Sequence, residues 1–162
     1  MDESFFRSLR SDDYTLLIGR VAMALLFLPS GVEKLLHFDR FVGLLASRTL
    51  PFGTHLLFPE VWAILAVATE IAGPLLLLLG SGTRWASVLQ ALFVIVATVF
   101  SHRYWEFEGA AHQAQAINFY KNLAIIGGLL FLRSSGAGAI SWQGLRGWRR
   151  QHPHSYEATH AM

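Results

Sequence analysis

Four long apolar runs constrain this chain more than any other feature. A helix that crosses the bilayer core needs about 20 consecutive, mostly apolar residues. The sequence supplies such runs from about Tyr14 to Leu36, Phe58 to Leu79, Arg84 to Ser101 and Ile117 to Leu132. The predicted fold is therefore all-α: an integral membrane four-helix transmembrane bundle with little mass outside the bilayer. Three segments follow from these limits, residues 1–13 before the bundle, 14–133 forming it, and a polar tail at 134–162. The chain has 162 residues, room for one domain. Only 15% of them are charged, against about 25% in soluble domains.

The connection Gly80-Ser81-Gly82-Thr83 is so short that the second and third helices must be antiparallel neighbours. Residues 37–57 contain Phe38, Phe41, Val42, Leu44 and Leu45 among polar residues, a pattern suited to a segment lying in the interface plane. The tail places Trp142 and Trp148 beside Arg146, Arg149 and Arg150, a mixture suited to a headgroup layer. Loop charge sets the expected orientation. Arg7, Arg10, Arg84, Arg133, Arg146, Arg149 and Arg150, seven in all, fall on the side of the termini, against four on the other: Lys34, Arg40, Arg48 and Arg103. The basic excess marks the cytoplasmic side, so both termini are expected in the cytoplasm. The N-terminal apolar run lacks a convincing small-residue cleavage site and reads as a retained first helix.

The absence of cysteine excludes disulfides, thiolate nucleophiles, iron–sulfur clusters and Cys-x-x-Cys redox motifs. No basic stripe for nucleic acid is present. No glycine-rich phosphate loop, His-Glu-x-x-His pattern or serine-triad context occurs. His152, His154 and His160 in the tail, and His37 and His55 in the first outer loop, form no matched set of metal ligands.

Ionisable groups at membrane depth are rare and usually face the bundle interior. Arg20, Ala24, Phe27, Gly31 and Lys34 share one helical face, and Glu33 lies off it. Glu70 sits deep in the second helix and needs a partner or a proton. By depth that partner is Arg20, and the expected Arg20–Glu70 pair fixes helix packing, with proton handling as the alternative. The face around Glu70 carries Ala63, Ala66, Gly73 and Leu77, and the fourth helix offers Gly127 and Gly128 for close approach. Pro29 and Pro74 are expected to kink their helices. Toward the opposite leaflet, His102, Trp105, Lys121 and Asn122 form a second candidate cluster with Tyr104, Glu106, Lys34 and Glu33. Histidine can relay protons near neutral pH. Lysine and asparagine can polarise a carbonyl oxygen such as that of a quinone, and aromatic residues can wall a ring-shaped pocket. Interfacial anchoring explains Lys34, Tyr104 and Trp105 equally well.

Several motifs occur in a familiar order: Gly19-Arg20, Leu26-Phe27-Leu28 and Gly31-Val32-Glu33-Lys34; Glu70-Ile71-Ala72-Gly73, Leu78-Leu79-Gly80 and Thr83-Arg84; His102 and Trp105; and the run Asn118 to Gly128. Over residues 14–133 the chain resembles the DoxX family of small four-helix bacterial inner-membrane proteins. The resemblance implies an inner-membrane, multi-pass protein with a link to redox metabolism, since some relatives are the membrane subunit of a thiosulfate:quinone oxidoreductase. Many relatives carry a Gly-Leu-Pro turn before the second helix, and this chain has Thr49-Leu50-Pro51 there. The leading expectation is a quinone-interacting membrane subunit of an oxidoreductase, with His102 and Lys121 catalytic and with Lys121, Asn122, His102 and Trp105 binding the quinone. Its electrons would come from a soluble or membrane partner or from a small reductant. A non-catalytic anchor or assembly factor for a soluble partner is the second reading, and a small transporter using Glu70 the third.

Overall fold

The computed structural model describes residues 3–47 and 55–152. The turn at Thr49-Leu50-Pro51, Arg48, His154 and His160 lie outside the described residues. Among the described residues, seven α-helices follow in order: α1 (Glu3–Ser8), α2 (Ser11–Leu36), α3 (Phe38–Ser47), α4 (Pro59–Leu79), α5 (Thr83–Ser101), α6 (Gly109–Ser135) and α7 (Trp142–Gln151), with a 3₁₀ turn at Tyr104–Glu106. Among the described residues, three helices are both long and apolar enough to cross a membrane, and they are α2, α4 and α5, the last counted with the 3₁₀ turn that follows it.

The fourth helix of the bundle is α6, which packs along α5 and more lightly on α2. Its 27 residues span about 40 Å at 1.5 Å per residue, more than a hydrocarbon core of about 30 Å. It starts well before the expected Ile117. Residues 109–116, Gly-Ala-Ala-His-Gln-Ala-Gln-Ala, lack apolarity but contain good helix formers, so they extend the helix rather than form a loop. The other three boundaries fall within three residues of expectation.

Helix α2 buries Arg20, Ala24, Phe27 and Gly31, the face expected from the sequence, and leaves Glu33 exposed. Helix α4 buries Ala63, Val67, Glu70, Gly73, Pro74 and Leu77. The apolar centre joins Phe27, Leu77, Ala86, Ala91, Val94 and Leu129 from all four long helices. Many large apolar side chains point outward, among them Ile18, Leu25, Ile64, Leu89, Leu92 and Phe131, as lipid-facing surfaces require. The α4–α5 turn is built by Gly80 and Gly82, both at positive φ, where a residue with a Cβ would be strained. Helix α3 buries nothing and is amphipathic, the interfacial form expected of it.

The tail is more structured than its polarity suggested. The segment between α6 and α7 folds back onto the bundle: Ala139 N–H donates to Asp13 Oδ1 at 2.6 Å, and Gln143 N–H to the Gly80 carbonyl at 3.3 Å. Helix α7 is capped by Ser141, whose hydroxyl oxygen accepts from Gly144 N–H at 2.9 Å. Phe5 of α1, only 4% exposed, meets Trp148 of α7 edge to face at 5.6 Å between centroids.

Candidate functional site

The expected Arg20–Glu70 pair does not form. Arg20 is fully buried, and its guanidinium donates to the carbonyls of Leu77 at 3.2 Å, Leu78 at 3.3 Å and Ile140. Leu77 and Leu78 lie in the last turn of α4, whose carbonyls lack the regular i+4 donor and carry the negative end of the helix dipole; the Leu77 carbonyl also accepts from Gly80 N–H at 3.1 Å. Arg20 therefore finds its compensation in a helix terminus, not in a carboxylate. Its level is that of Leu77, which places it about 10 Å below Glu70 along α4.

Glu70 is paired instead with Lys34. The Lys34 ammonium donates to Glu70 Oε2 at 2.6 Å and Oε1 at 2.9 Å, and to Ser30 Oγ at 2.5 Å. Ser30 Oγ in turn donates to Glu70 Oε1 at 3.3 Å. The Glu70 side chain is 6% exposed and that of Lys34 26%. Gly31 makes this possible. A Cβ there would stand 2.9 Å from Glu70 Cβ and 3.0 Å from its carbonyl, so glycine lets α2 and α4 touch at Glu70. Lys34, one turn further along the same face, is then carried over the carboxylate. The signal was present in the sequence as Gly31-x-x-Lys34.

The ion pair borders a cleft of about 530 Å³ lined by Ser30, Glu33, Lys34, His37, Arg40, Phe41, Gly43, Leu44 and Ser47. That volume lies within the usual range for small-molecule pockets, about 300–1,000 Å³. The floor is the end of α2, and α3 forms the wall. Lys34 Nζ lies 5.5 Å from the centroid of the Phe41 ring, within cation–π reach. The cleft thus joins three nitrogen bases, Lys34, His37 and Arg40, to an aromatic and an aliphatic surface. His37 and Arg40 had not been singled out as site residues.

The members of the second expected cluster each have a partner of their own. His102 Nδ1 is 2.8 Å from Gln115 Oε1. Asn122 Nδ2 donates to Thr98 Oγ1 at 2.9 Å, tying α6 to α5. Lys121 is exposed and donates to Asn118 Oδ1 on its own helix at 2.9 Å. Successive helical residues diverge by about 100°, so Lys121 and Asn122 leave α6 in different directions. Trp105 is 56% exposed and belongs to an aromatic patch in which Tyr104 meets Trp105, His112 and Phe119 at 5.3–5.4 Å between centroids. That patch suits an interfacial girdle. Among the described residues, no three His, Asp or Glu side chains gather as a metal site would need.

Gln90 is a buried polar residue that charge-based reading passed over. It is fully buried on α5 against Gly73 of α4. Only its single polar letter in an apolar run could have drawn attention to it.

Comparison with known proteins gives a consistent picture. The DoxX family's sequence profile matches residues 15–103. The chain is 38% identical over 126 residues to inner membrane protein YphA of Escherichia coli (strain K12), covering 78% of this chain and 86% of that protein. It is 27% identical over 130 residues to inner membrane protein YqjF of the same organism, covering 80% and 90%. It is also 31% identical over 84 residues to the ER-derived vesicles protein ERV29 of Saccharomyces cerevisiae, covering 52% of this chain and 26% of that protein. No solved structure gives a significant match.

Proposed function

Because this chain belongs to the DoxX family and is a multi-pass inner-membrane protein, we propose that it is a quinone-binding membrane subunit of an oxidoreductase system, with the quinone ring held in the α2–α3 cleft. The observation that carries this reading is the Lys34–Glu70 pair bordering that cleft. Ionisable residues at membrane depth are costly and mark candidate functional sites. Lys34, His37 and Arg40 are the donors that would hold carbonyl oxygens, and Phe41 and Leu44 the apolar surface for a ring. A bound quinone supplies an acceptor of two electrons and two protons. Glu70 and His37 are groups able to hold and release protons beside it. The chain has no cysteine for a redox centre of its own, so electrons come from a partner protein or a small reductant. The seven basic residues on the side of the termini, against four on the other, support cytoplasmic termini and a cleft that opens at the opposite leaflet.

The test is mass spectrometry of protein gently purified from its native membrane. Stoichiometric quinone is expected, lost in Arg40→Ala and retained in His102→Ala and Lys121→Ala. Arg40 is exposed, so its removal leaves the bundle intact. Quinone retained in Arg40→Ala and lost in the other two would move the site to α5 and α6.

A second reading, a docking platform for a soluble partner, is favoured by α7. This helix is pinned to the bundle at its start and exposes Arg146, Arg149 and Arg150. Removing residues 142–162 would then release a co-purifying protein while leaving quinone content unchanged.

A further inference from the structure

We propose that Gln90 marks an internal water-binding site in the seam between α4 and α5, independent of the quinone reading. Gln90 has no exposed surface, and neither its Nε2 nor its Oε1 has a hydrogen-bond partner. Its neighbours on the same face of α5 behave differently. Ser87 Oγ donates to the Thr83 carbonyl at 2.8 Å, and Thr98 Oγ1 to the Val94 carbonyl at 2.6 Å. Short hydroxyl side chains can close onto their own helix in this way. Gln90 carries two donors and an acceptor directed away from its helix, toward Gly73, where a Cβ would stand 2.7 Å from Gln90 Cδ. The glycine leaves room for the amide head against the α4 backbone.

A further polar group lies in the same turn of α4. Pro74 has no N–H, so the helical bond to the Glu70 carbonyl is missing, and that carbonyl lies against Gly31 of α2. Between apolar helices no bulk water is available to satisfy these groups. A small molecule that both donates and accepts answers both ends of the Gln90 amide, and a buried water normally holds two to four such partners. The orphaned Thr83 Oγ1 and Arg20 Nε continue the series toward the termini side. Along α4 the levels are Glu70, then Gly73 facing Gln90, then Leu77 facing Arg20. Water at Gln90 gives the interior an exchangeable proton midway between the Lys34–Glu70 pair and Arg20.

The experiment is water-edited solid-state NMR on the full chain in lipid bilayers, with glutamine side chains labelled. The Gln90 amide is assigned by its loss in Gln90→Met, or in Gln90→Asn if the methionine variant does not fold. Magnetisation transfer from water to the wild-type Gln90 amide is expected to be as fast as to exposed Gln113. Transfer about tenfold slower than to Gln113 would mean a dry amide bonded within the protein and would overturn the proposal.

Discussion

Arg20 and Lys34 stand at opposite ends of one face of α2, and the bundle neutralises them in different ways. Arg20 is sealed from solvent and held by three backbone carbonyls from two distant segments. Lys34 is partly exposed, lies beside an open cleft, and is held by a carboxylate and a hydroxyl. Backbone carbonyls cannot change their charge or withdraw, so the Arg20 end is a fixed fastening. A carboxylate can take a proton, and a lysine with a route to the surface can turn away. The same helix face thus carries one permanent joint and one that can open.

The largest test of this contrast is Arg20→Ala. It should cost about 4 kcal/mol, because several acceptors are orphaned at roughly 1–3 kcal/mol each. Thermal unfolding in detergent would measure it. Arg20→Lys should recover less than half, since an ammonium lacks the planar fork that reaches separate carbonyls. Full recovery would show that only charge matters there. Next comes Glu70→Ala, expected to cost about 3 kcal/mol by leaving Lys34 without its counter-charge. The combined Lys34→Met, Glu70→Leu variant should regain most of that stability. A double variant as unstable as the single one would place the cost in packing and erase the contrast. Gly31→Ala should cost about 2 kcal/mol by forcing α2 from α4, and it should loosen the Lys34–Glu70 pair while sparing the Arg20 end. Lys34 ammonium chemical shifts would report this. Smallest is His102→Ala, at about 1 kcal/mol for one side-chain hydrogen bond. A larger loss, or loss of bound quinone, would return the functional role to α5 and α6.

The sequence made the helices legible because their run lengths match the bilayer. The inward face of α2 was legible residue by residue from its 3.6-residue spacing. Partner choice was not. The Arg20–Glu70 assignment counted depth from helix ends and weighed only opposite charges. It could not weigh the last turn of α4, whose carbonyls accept from the Arg20 guanidinium. The grouping of His102, Lys121 and Asn122 rested on nearness in depth, which does not give the bond partners each side chain takes, Gln115, Asn118 and Thr98 respectively. Gln90 was missed because it carries no formal charge. The segment 136–141 belongs to the expected polar tail and contains Gly136 and Gly138. At Gly138 a Cβ would stand 3.1 Å from Leu16 Cδ1, so there the glycine serves close packing rather than looseness.

The bond from Arg20 to the Ile140 carbonyl joins residues 120 positions apart, and this orders the events of biogenesis. At roughly 5–20 residues per second, a ribosome needs on the order of 6–24 s to make the intervening chain. For that interval the first helix carries an arginine whose final ligand does not yet exist. A nascent chain that stops short of Ile140 keeps a charge in the membrane that it cannot fully satisfy. Synthesis through Ile140 is thereby reported inside the bilayer, at a residue made 120 positions earlier.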